Sequence, residues 1–117
     1  MNLSDFQKWG RGMSLLVRRP HIPKSGPWDF TARLAYGASN AMKEMGEVLQ
    51  VAHRAYWVPS TKWTPEQVKS EVLDEVAHVV FGLNDVIDSC GLTWEQVFKH
   101  CQAQINNKER ERIMRGG

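Results

Sequence analysis

The chain has 117 residues and a mass of 13.4 kDa, enough for one domain with its own core and too short for two. Apolar residues at 42% and charged residues at 24% match ordinary globular composition, which excludes intrinsic disorder and fibrous repeats. Fifteen Lys and Arg against 13 Asp and Glu leave a net charge of +2, too balanced to signal a nucleic-acid binder by itself.

Residues 1–27 carry five basic side chains and one acidic one. Ser4 and Gln7 fit the S/T-x-x-E/Q capping box and predict a first helix over 4–18. Pro20, Pro23 and Gly26 make 19–26 a connecting loop. A second helix is expected over 29–56, with Leu34, Ala38, Met42, Met45, Leu49 and Ala52 as its buried stripe. Ala35, Gly37, Ala38, Ala41 and Gly46 would let another backbone approach it closely, although each glycine costs about 1 kcal/mol of helix propensity. The short link at 58–63 implies that the next helix returns antiparallel.

Thr64, Pro65 and Gln67 open a third helix over 65–90, in which Val72, Val76, Val79, Leu83, Val86 and Ile87 form a stripe at three- and four-residue intervals. Residues 65–91 hold six acidic side chains and one basic one, a gathering of carboxylates suited to a cation. Gly91 closes this helix, and Thr93 with Gln96 opens a fourth over 94–112, a tight helical hairpin. No stretch alternates as a strand does, so the fold class is all-α: a four-helix bundle in a single domain, 1–117, with 1–27 a helix and loop and 106–117 a basic tail. The run from Met13 to Val17 is too short for a signal-peptide core, and no later stretch approaches the roughly 18 apolar residues that cross a bilayer, so no membrane segment is expected. Cys90 and Cys101 lie eleven apart with no C-x-x-C, which suggests neither a disulfide framework nor a zinc knuckle and fits a reducing cytoplasm.

Glu44 and Glu47, spaced i, i+3, project from one helical face. Glu71, Glu75, His78 and Asp85 share a face of the following helix, and antiparallel packing would let the two sets meet. Converging carboxylates with substrate phosphate suit magnesium, with manganese as the alternative. The competing view is that these are solvated surface charges, and that His78 is a packed polar residue. There is no glycine-rich phosphate loop and no G-x-S-x-G elbow. Of the five tryptophans, most are expected as core or subunit-interface anchors.

Residues 33–49 (RLAYGASNAMKEMGEVL), 75–83 (EVAHVVFGL) and 90–97 (CGLTWEQV) resemble the MazG-type all-α nucleoside triphosphate pyrophosphohydrolases, especially compact phage-type members. That family's pattern is E-E-x-x-E followed by E-x-x-D. Glu44 and Glu47 match the second and third glutamates, and Glu75 matches the glutamate of the second motif. Lys43 stands where the first glutamate would be, and His78 where the aspartate ligand would be.

The resemblance implies hydrolysis of a (deoxy)nucleoside triphosphate to monophosphate and pyrophosphate, with Glu44, Glu47, Glu75 and His78 as metal ligands. Glu71 or Asp85 would orient water as base or extra ligand, and Lys108, Arg112 and Arg115 of the tail would hold phosphates. The tail could equally be a solvated helix end whose cations favour the C-terminal dipole. A homodimer or homotetramer completing the bundle is implied as well. Two other readings are a non-enzymatic relative that binds nucleotide or protein, and a helical nucleic-acid binder using 1–27 and 106–115. The acidic middle of the chain disfavours the latter.

Overall fold

The computed structural model describes residues 1–18, 28–57 and 63–116. The loop expected over 19–26 and most of the link at 58–63 lie outside the described residues. Four helices follow one another: α1 (Leu3–Arg18), α2 (Trp28–Trp57), α3 (Pro65–Ser89) and α4 (Trp94–Met114). No strand occurs among the described residues, and the fold is all-α. Among the described residues no helix is long and apolar enough to cross a membrane.

Helix starts follow local side-chain chemistry. The Thr64 hydroxyl accepts from Gln67 N at 3.2 Å while Gln67 Oε1 accepts from Thr64 N at 2.8 Å, with Pro65 filling a position that needs no N–H donor. Thr93 and Gln96 repeat this box for α4 at the same two distances. The start of α1 differs from expectation: Asn2 Oδ1 accepts from Asp5 N at 2.8 Å, so Asn2 is the cap and Ser4 already lies inside the helix. Between α3 and α4, Leu92 N donates to Ile87 O and Gly91 N to Asp88 O, both at 3.1 Å. This is a Schellman turn, and the φ of +70° at Gly91 is the left-handed conformation it requires.

The α2 and α3 helices form the body of the fold and run antiparallel, with Arg33 beside Asp88 at one end and Glu44 beside His78 farther along. Their backbones nearly touch. A Cβ built on Gly37 would lie 2.7 Å from Gly82 O, and one on Gly82 would lie 2.8 Å from Gly37 O and 2.9 Å from Ala41 N. Gly37 and Ala41 therefore act as the small-residue face that the sequence suggested, whereas Gly46 has open space beside it in the single chain.

The buried stripes differ from those expected. On α2 the buried residues are Arg33, Gly37, Ala41 and Val51 and the expected Leu34 and Ala38 are half-buried, while Met42, Met45 and Leu49 are 76%, 56% and 71% exposed and Ala52 is also exposed. On α3, Ile87 is buried and Val72, Val79 and Val86 are half-buried, but Val76 and Leu83 are exposed. Apolar periodicity marks a face that avoids water without naming what covers it. Here the close glycine contact turns a different face of α2 toward α3.

A polar network joins α1 to this pair. Asp88 accepts from Arg11 through both of its oxygens, from Arg33 Nη2 at 2.8 Å and from Gln7 Nε2 at 3.0 Å. Gln7 also donates to Leu92 O. Burial pushes the Asp88 carboxyl up, but the hydrogen bonds from Arg11, Arg33 and Gln7 outweigh it and hold the group well below the usual carboxylate range. Nearby, Asn84 accepts from the Trp94 indole N–H at 2.8 Å and donates to Gln7 O, and Ser14 Oγ donates to Asp85 at 2.8 Å. Phe6, Trp9, Phe81, Trp94 and Phe98 pack edge to face or tilted around these bonds, so Trp94 is the core anchor that its type suggested.

This packing has two consequences for stability. Gly82→Ala is expected to lower stability by about 1–3 kcal/mol in thermal unfolding, despite the better helix propensity of alanine, because the added methyl meets backbone rather than a yielding side chain. Asp88→Ala should lower it by about 3 kcal/mol, because Arg33, itself buried, loses its hydrogen-bonded carboxylate and keeps only Asp85 at 3.8 Å.

Candidate metal centre

Two helices supply the site. Glu44 lies seven residues beyond Gly37 on α2, and Glu75 lies seven before Gly82 on α3. Each is two turns, about 10 Å, from the close backbone contact and on the same face as its glycine. The antiparallel register fixed at the glycines thus carries Glu44 and Glu75 to one level. Glu47 follows one turn along α2, and His78 one turn along α3.

Glu44, Glu75 and His78 each offer a ligand atom within 4.8 Å of the others. His78 Nδ1 stands 3.6 Å from Glu44 Oε2, close enough for charge attraction and too long for a hydrogen bond. Glu44 Oε2 and Glu75 Oε2 are shut off from solvent and receive no hydrogen bond among the described residues. Carboxylate can bond to carboxylate only with a proton on one of them. Hydrogen bonds with Glu47 and then Glu44, with burial and their negative charge behind them, push Glu75 up to about 7. The same contacts hold Glu47 below its ordinary value, helped by the nearby Lys43 and His78. Three neighbouring carboxylates, two with orphaned oxygens, fit a divalent cation in chemistry.

Of the four residues expected as metal ligands, the structure brings ligand atoms of Glu44, Glu75 and His78 together, with Glu47 against Glu75 and Glu44 at their edge. His78 is 64% exposed, which corrects the alternative that it is a packed polar residue. Glu71 is exposed one turn before Glu75 on α3 and is not a member of the group. Asp85, proposed beside it, is not brought there. It is fully buried seven residues beyond His78, accepts from Ser14 Oγ and lies 3.8 Å from Arg33 Nη2. Lys108, Arg112 and Arg115 are exposed on α4, which packs on α1 rather than along α2 or α3. Arg112 pairs with Glu109 at 2.9 Å and Arg115 approaches Glu111 at 4.0 Å. Within one chain the basic tail does not meet the acidic group.

Sequence reasoning missed the Asp88 network. Its signal was present: Arg33 precedes Leu34, and Asp88 follows Ile87, each a charge at the edge of an apolar stripe on facing helices. Comparison with family models, with curated proteins and with solved structures finds no match.

Because the folded chain holds the Glu75 proton more tightly than an unfolded chain with an ordinary value of 4.5, the stability this contributes is full below that value. It is lost as pH rises through about 7. Metal-free protein is expected to melt at a lower temperature at about pH 8 than at about pH 5, and Glu75→Gln, which keeps a donor but cannot titrate, should flatten that fall.

Proposed function

We propose that the protein is a metal-dependent pyrophosphohydrolase that adds water to a (deoxy)nucleoside triphosphate, breaks its α–β phosphoanhydride bond and releases a monophosphate and pyrophosphate. The observation that carries this reading is the meeting of Glu44 and Glu47 of α2 with Glu75 and His78 of α3 around orphaned carboxylate oxygens. The sequence resemblance of 33–49, 75–83 and 90–97 supplies the reaction class. A divalent cation bound there, magnesium or manganese, would neutralise phosphate charge and lower the pKa of an attacking water. Glu44, Glu47, Glu75 and His78 would hold that cation. Glu71, exposed one turn away on α3, orients the water as base. Asp85, bonded to Ser14 and facing Arg33, acts by fixing α3 on α1 and α2.

The phosphates need cations that the acidic group lacks, and Lys108, Arg112 and Arg115 supply them from a neighbouring copy. Support for a homodimer or homotetramer comes from surface. The accessible area is 8986 Å², against about 6,500 Å² for a compact monomer of this mass. The radius of gyration is 18.0 Å against about 13 Å. The exposed Met42, Met45 and Leu49 stripe of α2 is the apolar face such a partner would cover. The reaction is assigned to the cytoplasm, where the free thiols of Cys90 and Cys101 persist.

A second reading, a non-enzymatic relative that binds nucleotide or protein, is favoured by one observation: Lys43 and His78 replace two carboxylates of the family pattern. The two are separated by pyrophosphate release from a panel of ribo- and deoxyribonucleoside triphosphates with magnesium and with manganese. Release that drops about 100-fold or more in Glu47→Ala is expected for the hydrolase. Nucleotide binding by a folded protein without release with either metal would establish the second reading.

A further inference from the structure

A single chain holds very little core. Among the described residues the fully buried apolar side chains are Ala41, Val51, Ile87 and Trp94, whereas a domain of this size rests on a contiguous core of many such residues. The α1 helix meets α3 through Phe81, Asn84, Asp85 and Asp88, all toward one end of the α2 and α3 pair. Beyond Glu44 and Glu75 the pair is a two-helix hairpin in which Val51 is the one buried residue among those described.

The missing core lies on the surface. Around α2, Met42, Met45 and Leu49 sit about 80–140° from Gly37, and around α3, Val76, Leu83 and Leu73 sit about 100–180° from Gly82. Gly37 and Gly82 face each other across antiparallel helices, so offsets of the same sign turn to the same side of the pair. Arg33, Asp85 and Asp88 have offsets of the opposite sign and meet on the other side. The six exposed side chains therefore form one apolar face built from both helices. Between Leu34 and Tyr56 of α2, and between Val72 and Ile87 of α3, no Asp, Glu, Lys or Arg falls on it.

We propose that this α2 and α3 face pairs with the same face of a second copy, and that folding depends on the pairing: the protein is an obligate twofold dimer whose main core lies between chains. The inference rests on the homo-oligomer of the proposed function and goes beyond it by adding α3 to the interface and by tying the fold to assembly. The area argues for a second copy. The accessible surface of 8986 Å² exceeds that of a compact monomer by about 2,500 Å², and each chain of an obligate homodimer buries about 1,000–2,500 Å². An uncharged apolar face is matched by another uncharged apolar face, which a twofold axis supplies without a different chain. A cover needed for folding must also be present whenever the chain is, and a second copy meets that condition by itself.

The test uses the full-length protein without nucleotide, with size read by sedimentation and helix content by circular dichroism across about 1–100 μM chain. The expected result is a dimer whose urea midpoint rises with concentration, with size and helix content lost together. Leu49 and Leu73, 71% and 68% exposed in the single chain, are matched by Leu16 of α1 and Ile113 of α4 at 70% and 69%. Leu49→Ala and Leu73→Ala should each weaken dimerisation roughly tenfold or more, while Leu16→Ala and Ile113→Ala stay within about threefold. These truncations are mild enough to leave folded dimer at high concentration for measurement. A wild-type monomer at about 100 μM, a midpoint independent of concentration, or a folded monomer after dissociation would overturn the proposal. So would equal effects of the four truncations, or larger ones at Leu16 and Ile113. Glu47→Ala should remain dimeric. A dimer of this kind without pyrophosphate release would uphold the proposal while removing the hydrolase reading, and release by a stable monomer would do the reverse.

Discussion

The contact of Gly37 with Gly82 is the constraint on which the rest of the arrangement depends. Two helices this close leave no room for a Cβ on either side, so the pair can slide or rotate only by losing the contact. Because seven residues make nearly two whole turns, the register fixed there repeats two turns along as Glu44 opposite Glu75. The cost of two glycines in helix interiors is offset by backbone packing, and the positions of the acidic side chains are its by-product. A carboxylate cluster held by main-chain contact does not relax apart when its charges repel.

The two ends of the α2 and α3 pair solve the same electrostatic problem differently. At one end Asp88 is surrounded by Arg11, Arg33 and Gln7, and its carboxyl stays ionised far below the usual range. At the other, Glu44, Glu47 and Glu75 face one another with Lys43 and the His78 ring nearby, and the neighbouring carboxylates push Glu75 up to about 7. The first end surrounds a carboxylate with donors, although Arg33 Nε finds no acceptor among the described residues and the Arg11 side chain is half exposed. The second keeps unsatisfied oxygens beside a solvent-facing imidazole. What distinguishes the two ends is the sign of the neighbours, donors and arginines around Asp88 and carboxylates around Glu75, since both ends draw their carboxylates from the same helix.

Much of this was legible in the sequence where the governing interactions are local. Thr64, Pro65, Gln67, Gly91, Thr93 and Gln96 act within one turn of themselves, and the helix ends they mark agree with the structure. Asn2 displaced Ser4 as the first cap because either side chain could take the bond, and local pattern alone does not rank them. The meeting of Glu44 and Glu47 with Glu75 and His78 was legible from spacing plus one antiparallel link. The polar ties were not. Asn84, Asp85 and Asp88 are buried because α1 crosses α3 at a point set by Gly10, whose missing side chain admits Asn84, and no period of the sequence encodes that crossing.

The misplaced apolar stripe has a further physical meaning. Met42, Met45 and Leu49 are spaced as a core face and lie in water, about a third of a turn round α2 from the face that meets α3. Three large apolar side chains at helical spacing on a surface leave the chain poorly soluble unless the face is covered. On the proposed reading, the same copy that covers it supplies the arginines that α4 holds away from its own acidic group. A site whose anionic half sits on α2 and α3 and whose cationic half extends on α4 keeps opposite charges from neutralising each other within one chain. Assembly would then bring substrate phosphate between them, and the acidic group would remain open to a metal until it does.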